Sequence, residues 1–189
     1  MARTEPAAQP RGLRKDAARN RDRILAVARE VRDSGEPLQL NAVAHRANVG
    51  VGTVYRHFAS AQALREGLVE HQFADLIALA ARVTRLRDPV AALREFMAHA
   101  LALYAADEAF ATITTAPTLE RSETAALRDE LAAAFDRLVQ SSAGSLRPGL
   151  DATDLLLLLC GIGYSARMRP DKATDYLRAM LDGILADDE

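Results

Sequence analysis

The sequence predicts an all-α fold, on two observations. Apolar residues recur at helical rather than strand spacing along most of the chain, and capping residues, glycines and prolines separate those runs where hairpin turns would otherwise stand. A third observation divides the chain. Through His57 there are 11 Lys+Arg against 6 Asp+Glu, net +5, and beyond it 13 against 20, net −7. A basic first third on an acidic remainder predicts a small head that meets a polyanion and a larger body that does not. At 189 residues, 49% hydrophobic and 26% charged, the chain is ordinary in composition and long enough to join a small domain to a larger one.

Residues 1–15, rich in Ala, Pro, Arg and Gly without an apolar period, are expected to form a disordered basic arm. From Asp16 a helix is expected, with Ile24, Val27, Ala28 and Val31 at i, i+3, i+4 and i+7 and Leu25 widening the stripe; Gly35 ends it before Pro37. Leu40, Val43, Ala44 and Ala47 then predict a helix of about two turns, stopped by Asn48 in the left-handed conformation. The next stretch, NVGVGTVYRHF, has the β-branched and aromatic composition of a strand. Its period decides otherwise: Val51, Val54, Tyr55 and Phe58 fall at i, i+3, i+4 and i+7, so a third short helix is expected. A long helix, a two-turn helix, a tight turn and another short helix form the helix-turn-helix pattern, whose last helix enters the DNA major groove. Ala44 and Ala47 allow the short helices to approach, and Gly52 and Thr53 leave a small face toward the groove.

Beyond Phe58 six more helices are expected. Ser60 caps one from Ala61 to about Arg87, and Asp88-Pro89 supplies a cap and first-turn proline for one from Pro89 to about Ala105. A short helix runs from Glu108 to Thr115, and a longer one from Leu119 or Ser122 to Ser142. Asp151 with Asp154 forms a capping arrangement ahead of LLLLLCGIGYSARM, and Asp171 opens a last helix from Lys172 to about Ala186. The expected total is nine helices and no strands, arranged as an arm (1–15), a helix-turn-helix domain (16–60) and a helical body (61–189). Leu155 to Leu159 cover every side of their helix, so it is expected to be buried on more than one face, either as a central core helix of one subunit or, the reading that Gly161 and Gly163 favour by permitting close approach, shared between the core and a dimer seam. Cys160 reads as a buried small hydrophobe.

Several classes are excluded. The longest apolar-rich run, Leu155 to Tyr164, is well short of the roughly 20 residues that span a bilayer, and no apolar run typical of a signal peptide follows the basic start before Ile24, so no membrane association and a cytoplasmic location are expected. A single cysteine gives no disulfide framework or cysteine-rich zinc site. Gly50-Val51-Gly52 lacks the third glycine and the preceding strand of a dinucleotide site, and His45, His57, His71 and His99 show no metal-ligand spacing. No nucleophile–base pair appears, so neither enzyme activity nor a cofactor is expected.

Three stretches carry a family resemblance: ILAVAREV (residues 24–31), VAHRANVGVGTVYRHF (43–58) and AQAL (61–64). They resemble the N-terminal pattern of the TetR family of transcriptional regulators, in which Thr-hydrophobe-Tyr-x-His-Phe follows a matching first helix. The sequence departs from that pattern at Gln39, Asn48, Gly50 and Ala61, and three of these departures remove caps or phosphate contacts while leaving the fold intact. The resemblance implies double-stranded DNA as a partner. Tyr55 and His57 are then phosphate anchors, and Thr53 and Arg56 face bases, Arg being the commonest reader of guanine. Gly50, Val51 and Gly52 lie against the DNA, Gln39, Asn41 and His45 are backbone contacts, and Arg14, Lys15 and Arg19 reach phosphates or the minor groove.

The resemblance also implies a homodimer built on the last two helices and a body that takes a small-molecule effector. A twofold dimer places two recognition helices about one DNA turn apart, ~34 Å, on a palindromic operator. A repressor released when the effector shifts the fourth helix is the expected function. Candidate ligand contacts are Phe96, His99, Leu103, Tyr104, Phe110, Ile113, Phe135 and Tyr164, the aromatic or polar residues within Ala/Leu-rich helices and their apolar neighbours. The competing readings are a TetR-like protein with a weakened DNA head acting through protein contacts, and a helical small-molecule carrier.

Overall fold

The computed structural model describes Arg11 to Leu185, with side-chain surroundings from Lys15 onward. Among these residues there are nine α-helices: α1 (Arg11–Asp33), α2 (Leu40–Arg46), α3 (Val51–His57), α4 (Ala61–Val83), α5 (Pro89–Ala106), α6 (Glu108–Thr115), α7 (Ser122–Ser141), α8 (Ala152–Met168) and α9 (Ala173–Ile184). Short 3-10 turns lie at Ala143–Ser145 and Pro170–Lys172, and the only β-type pairing among the described residues is an isolated bridge between Leu146 and Leu185. The all-α expectation holds. α1 begins at Arg11 rather than Asp16, so residues 11–15, expected in the arm, are helical; Arg, Leu and Lys are good helix formers, and the single Gly12 among them is tolerated in the first turn. The rest of the expected arm, residues 1–10, lies outside the described residues.

The chain forms two compact units, one ending at Leu68 and the other starting at Val69. The break expected after residue 60 therefore falls two turns into α4. The reason is packing: Ala63, Leu64 and Leu68 of α4 join Ile24, Leu25, Ala28 and Val31 of α1, Leu40, Val43 and Ala44 of α2, and Val54 and Phe58 in one core. Turn geometry closes this head. Asn48 takes φ 50 between α2 and α3, the one non-glycine residue at positive φ among those described, and Gly35 takes φ 75 after α1. Gly67 on α4 admits the Phe58 ring, since a Cβ there would lie 2.5 Å from Phe58 Cε1.

In the second unit α5 and α8 form the most extensive helix pair, with α6, α7 and α9 packed around them. Gly163 makes the approach possible: a Cβ at that position would lie 2.6 Å from Tyr104 Cβ. Gly161 meets nothing within 4 Å and faces outward, on the side of α8 that carries Leu157 and Leu158. Between the helices Phe96 stacks on Phe135 at 4.9 Å between ring centroids, Tyr104 stacks on Phe110 at 5.2 Å, and Phe73 meets Phe110 edge-on at 4.9 Å.

The caps read at Ser60, Asp88 and Asp151 are in place, whereas Asp171 caps nothing: it lies in the 3-10 turn with its carboxylate paired to Arg169, and α9 starts at Ala173 without a side-chain cap. Ser60 Oγ accepts from Ala63 N, Asp88 from Val90 N and Ala91 N, and Asp151 and Asp154 form a reciprocal capping box. α4 stops at Val83, short of the expected Arg87, because the Arg85 and Leu86 N–H groups turn back three residues to Arg82 and Val83 and tighten the chain ahead of Asp88. A polar clamp holds the first body turn of α4. Glu70 Oε1 accepts from Arg121 Nε and from Thr124 Oγ1, both at 2.8 Å, with the Arg121 and Glu70 side chains only 10% and 11% exposed.

Two stability predictions follow from these contacts. Arg121→Met, which strands a buried carboxylate, is expected to lower the unfolding free energy in urea by about 3 kcal/mol, and adding Glu70→Gln to it restores part of that loss. Gly163→Ala is expected to lower stability by about 1–3 kcal/mol despite the better helix propensity of alanine, because it forces α5 and α8 apart; an unchanged melting temperature would refute the close approach.

Candidate functional site

The head presents α3 on an apolar anchor. Val54 and Phe58 are fully buried, whereas Val51 and Tyr55 are 47% and 48% exposed. The apolar stripe expected from four residues is thus two residues wide, because a seven-residue helix on two neighbours buries only about one side. The opposite side carries Gly52, Tyr55 and Arg56 in the open, with Thr53 and His57 half-buried at its margins. Gly50 at the N-cap of α3 has φ −58 and no side chain to cap with, so its carbonyl alone receives Thr53 N and Val54 N, at 2.8 and 3.2 Å.

α2 stands beside this helix. Gln39, at its N-cap, makes no side-chain capping bond and is exposed, as are Asn41 and His45. Asn41, His45, Asn48, Gly50 and Val51 border one shallow surface hollow of about 440 Å³, which brings the start of α3 and the outer side of α2 together. Asn48 is the member of this group that sequence reasoning assigned only to the turn. Arg46 is committed elsewhere: its guanidinium meets both Glu36 oxygens, at 2.6 and 3.1 Å, and together with Ser34 this holds the Glu36 carboxyl below the usual carboxylate range. Lys15 and Arg19 are exposed on α1, and the Arg14 side chain lies outside the described ones.

The body separates the eight expected ligand contacts into three places. Phe96, Tyr104, Phe110, Ile113 and Phe135 are buried in the packed core. Burial pushes the Tyr104 phenol far above its ordinary pKa, and its hydroxyl has no hydrogen-bond partner; Thr114 and Cys160 are close enough to influence it, but Thr114 donates to Phe110 O instead. His99 and Leu103 line a groove between α4 and α5 of about 500 Å³, together with Asp75, Leu76, Ala78, Leu79, Arg82 and Ala102. Asp75 and Arg82 were not among the expected contacts. The signal in the sequence is their i, i+7 spacing with only apolar residues, LIALAA, between them.

Tyr164 belongs to neither place. It is 61% exposed on α8, along with Leu157, Leu158 and Met168 at 57%, 45% and 63%. Of the five consecutive leucines, Leu155 and Leu159 are buried in the core and Leu157 and Leu158 face out, so this helix has two apolar faces. Cys160 is partly rather than fully buried, and burial raises its thiol pKa. No described helix is long and apolar enough to cross a membrane, and the described His, Cys, Asp and Glu side chains form no group of three that could hold a metal ion.

A three-helix head with an outward-facing third helix, on an all-helical body, defines the helix-turn-helix class of transcriptional regulators. Residues 88–186 match the family model for the C-terminal domain of the SbtR-like transcriptional regulators, one of the TetR C-terminal domains. A TetR transcription regulatory protein of Mycobacterium vanbaalenii is 30% identical, the match covering 92% of this chain and 99% of that one with a TM-score of 0.55. A TetR transcriptional regulator of Streptomyces coelicolor is 28% identical over 89% of this chain and 99% of that one, with a TM-score of 0.57. The regulator FadR of Bacillus subtilis, solved with stearoyl-CoA, shares the fold at 17% identity and a TM-score of 0.63, covering 86% of this chain and 98% of that one. No curated protein gives a significant sequence match. The chain belongs to the TetR family of transcriptional regulators.

Proposed function

We propose that this TetR-family protein is a homodimeric repressor that holds a palindromic operator and releases it when a small molecule binds the body. The observation that carries the DNA reading is the two-sidedness of α3, which buries Val54 and Phe58 and turns Tyr55 and Arg56 outward. On this reading Arg56 and Thr53 contact bases, and Tyr55 and His57 donate to phosphates. Gly50, Val51 and Gly52 let the helix start lie close to the duplex, and Gln39 and Asn41 meet the backbone beside it. The exposed Leu157, Leu158, Tyr164 and Met168 of α8 support a dimer seam, because a contiguous apolar face of this kind is normally covered.

Effector control is supported by the continuity of α4, whose first turns belong to the head core and whose remainder lines the body groove. Among proteins of this fold, FadR of Bacillus subtilis was solved with stearoyl-CoA. Such a repressor works in the cytoplasm, where its operator is. The uncapped starts of α2 and α3 favour the second reading, a weakened DNA head acting through protein contacts.

A titration against the DNA upstream of the chain's own coding region separates the two: the repressor gives a specific complex that weakens steeply with salt, and absent or salt-insensitive binding favours the second reading. Within that complex Arg56→Ala is expected to relax base preference by about 1–3 kcal/mol at one position, while Tyr55→Phe weakens binding to all sequences alike. Leu157→Glu is expected to convert the dimer to monomer in light scattering without loss of helical content; a persistent dimer would move the seam off α8.

A further inference from the structure

The groove between α4 and α5 has an aliphatic floor, made by Leu76, Leu79 and Leu103 with Ala78 and Ala102, and a polar rim of Asp75, Arg82 and His99. Its volume, about 500 Å³, is that of a site for a drug-sized molecule. The rim groups do not balance. Arg82 is already paired, its Nη2 lying 2.9 Å from Glu95 Oε1. His99 Nδ1 stands 2.9 Å from Glu95 O, a carbonyl that only accepts, so this nitrogen carries a hydrogen. Asp75 is exposed, and neither a hydrogen bond nor an ion pair involves its carboxylate.

One turn back along α4 stands a further acceptor. Gln72 is 7% exposed and donates through Nε2 to Asp107 Oδ2 at 3.3 Å, while its buried Oε1 has no partner. A buried acceptor left without a donor is costly, and such groups usually have a partner to explain them. Asp107 follows Leu103 by one helical turn, its N–H bonding Leu103 O at 2.9 Å, but Gln72 does not line the groove and its buried oxygen belongs to the packing beneath it. Within the groove's lining, the Asp75 carboxylate is thus the charged group left without a protein partner, while Arg82 is engaged by Glu95.

We propose that the α4–α5 groove binds an apolar molecule carrying a protonated amine, with the aliphatic body on the leucine floor and the ammonium donating to Asp75. This deepens the effector reading by naming the chemical class, and it rests on that reading for its regulatory consequence. The alternatives are chemically disfavoured: a carboxylate would meet Asp75 with like charge, and a neutral head would leave Asp75 without a counterion.

The probe is a set of molecules with one tail and three heads: decylammonium, decanol and decanoate, titrated below their micelle concentrations into the full chain by calorimetry. Decylammonium is expected to bind about tenfold tighter than decanol, with decanoate weakest. Asp75→Asn brings decylammonium to the level of decanol, and Ala102→Trp, which fills the groove from an exposed position, abolishes binding of all three. Circular dichroism and thermal melting of both variants confirm that they fold. Equal binding of the three heads, or tight decylammonium binding that survives either substitution, overturns the proposal. A second arm separates it from the effector reading. Asp75-dependent binding that leaves the operator complex intact keeps the site and removes its regulatory role; an effector that releases DNA equally well from both variants keeps the regulatory role and removes this site.

Discussion

The head depends on the seat of Phe58. Its ring is fully buried against Gly67, where even a methyl group would overlap it, and Phe58 is the last anchor before the chain turns into α4. With Val54 one turn earlier, that seat fixes the rotation of α3, and the rotation decides which side chains leave the protein surface. Tyr55 and Arg56 face outward because their neighbours on either side, Val54 and Phe58, face in. The DNA reading is therefore a consequence of core packing, since a helix of only seven residues has no stable orientation of its own.

A parallel logic organises the body. Gly163 lets α8 close on Tyr104, and the aromatic stack of Tyr104, Phe110 and Phe73 fills the space that this approach creates. The same packing closes off five of the eight expected ligand contacts and leaves the α4–α5 groove as an aliphatic surface with polar groups at its edge. The Glu70–Arg121–Thr124 clamp fixes α4 where the helix enters the body, so that the helix is held firmly at one point rather than loosely along its length.

Much of this was legible in the residues. The helical periods, the caps at Ser60, Asp88 and Asp151, and the left-handed turn at Asn48 are local devices, each readable within about four positions, and the structure reproduces them. Errors came where a choice was not local. The unit boundary lies at Leu68 because the first turns of α4 bury their apolar face in the head; the start of α1 at Arg11 is the local exception, good helix formers outweighing Gly12. Propensity around Asn48–Phe58 points to a strand, and the period overrules it because Val51, Val54, Tyr55 and Phe58 fall at i, i+3, i+4 and i+7, whereas a strand would put Val51 and Val54 on opposite faces.

The sequence by itself determined the fold class, the number and order of the helices, the helix-turn-helix head and the charge difference between head and body. All of these follow from the spacing of residues near one another in the chain. Only the tertiary structure decided which aromatic residues are core and which are surface. Phe96 and Tyr164 both interrupt Ala/Leu-rich helices, yet one is fully buried and the other 61% exposed. It likewise gave Gly161 and Gly163 opposite roles two residues apart, and assembled Asp75, Arg82 and His99 from two helices into one rim. The physical reason is common to all three cases: which side of a helix is buried depends on where its partners stand, and those partners are distant in sequence.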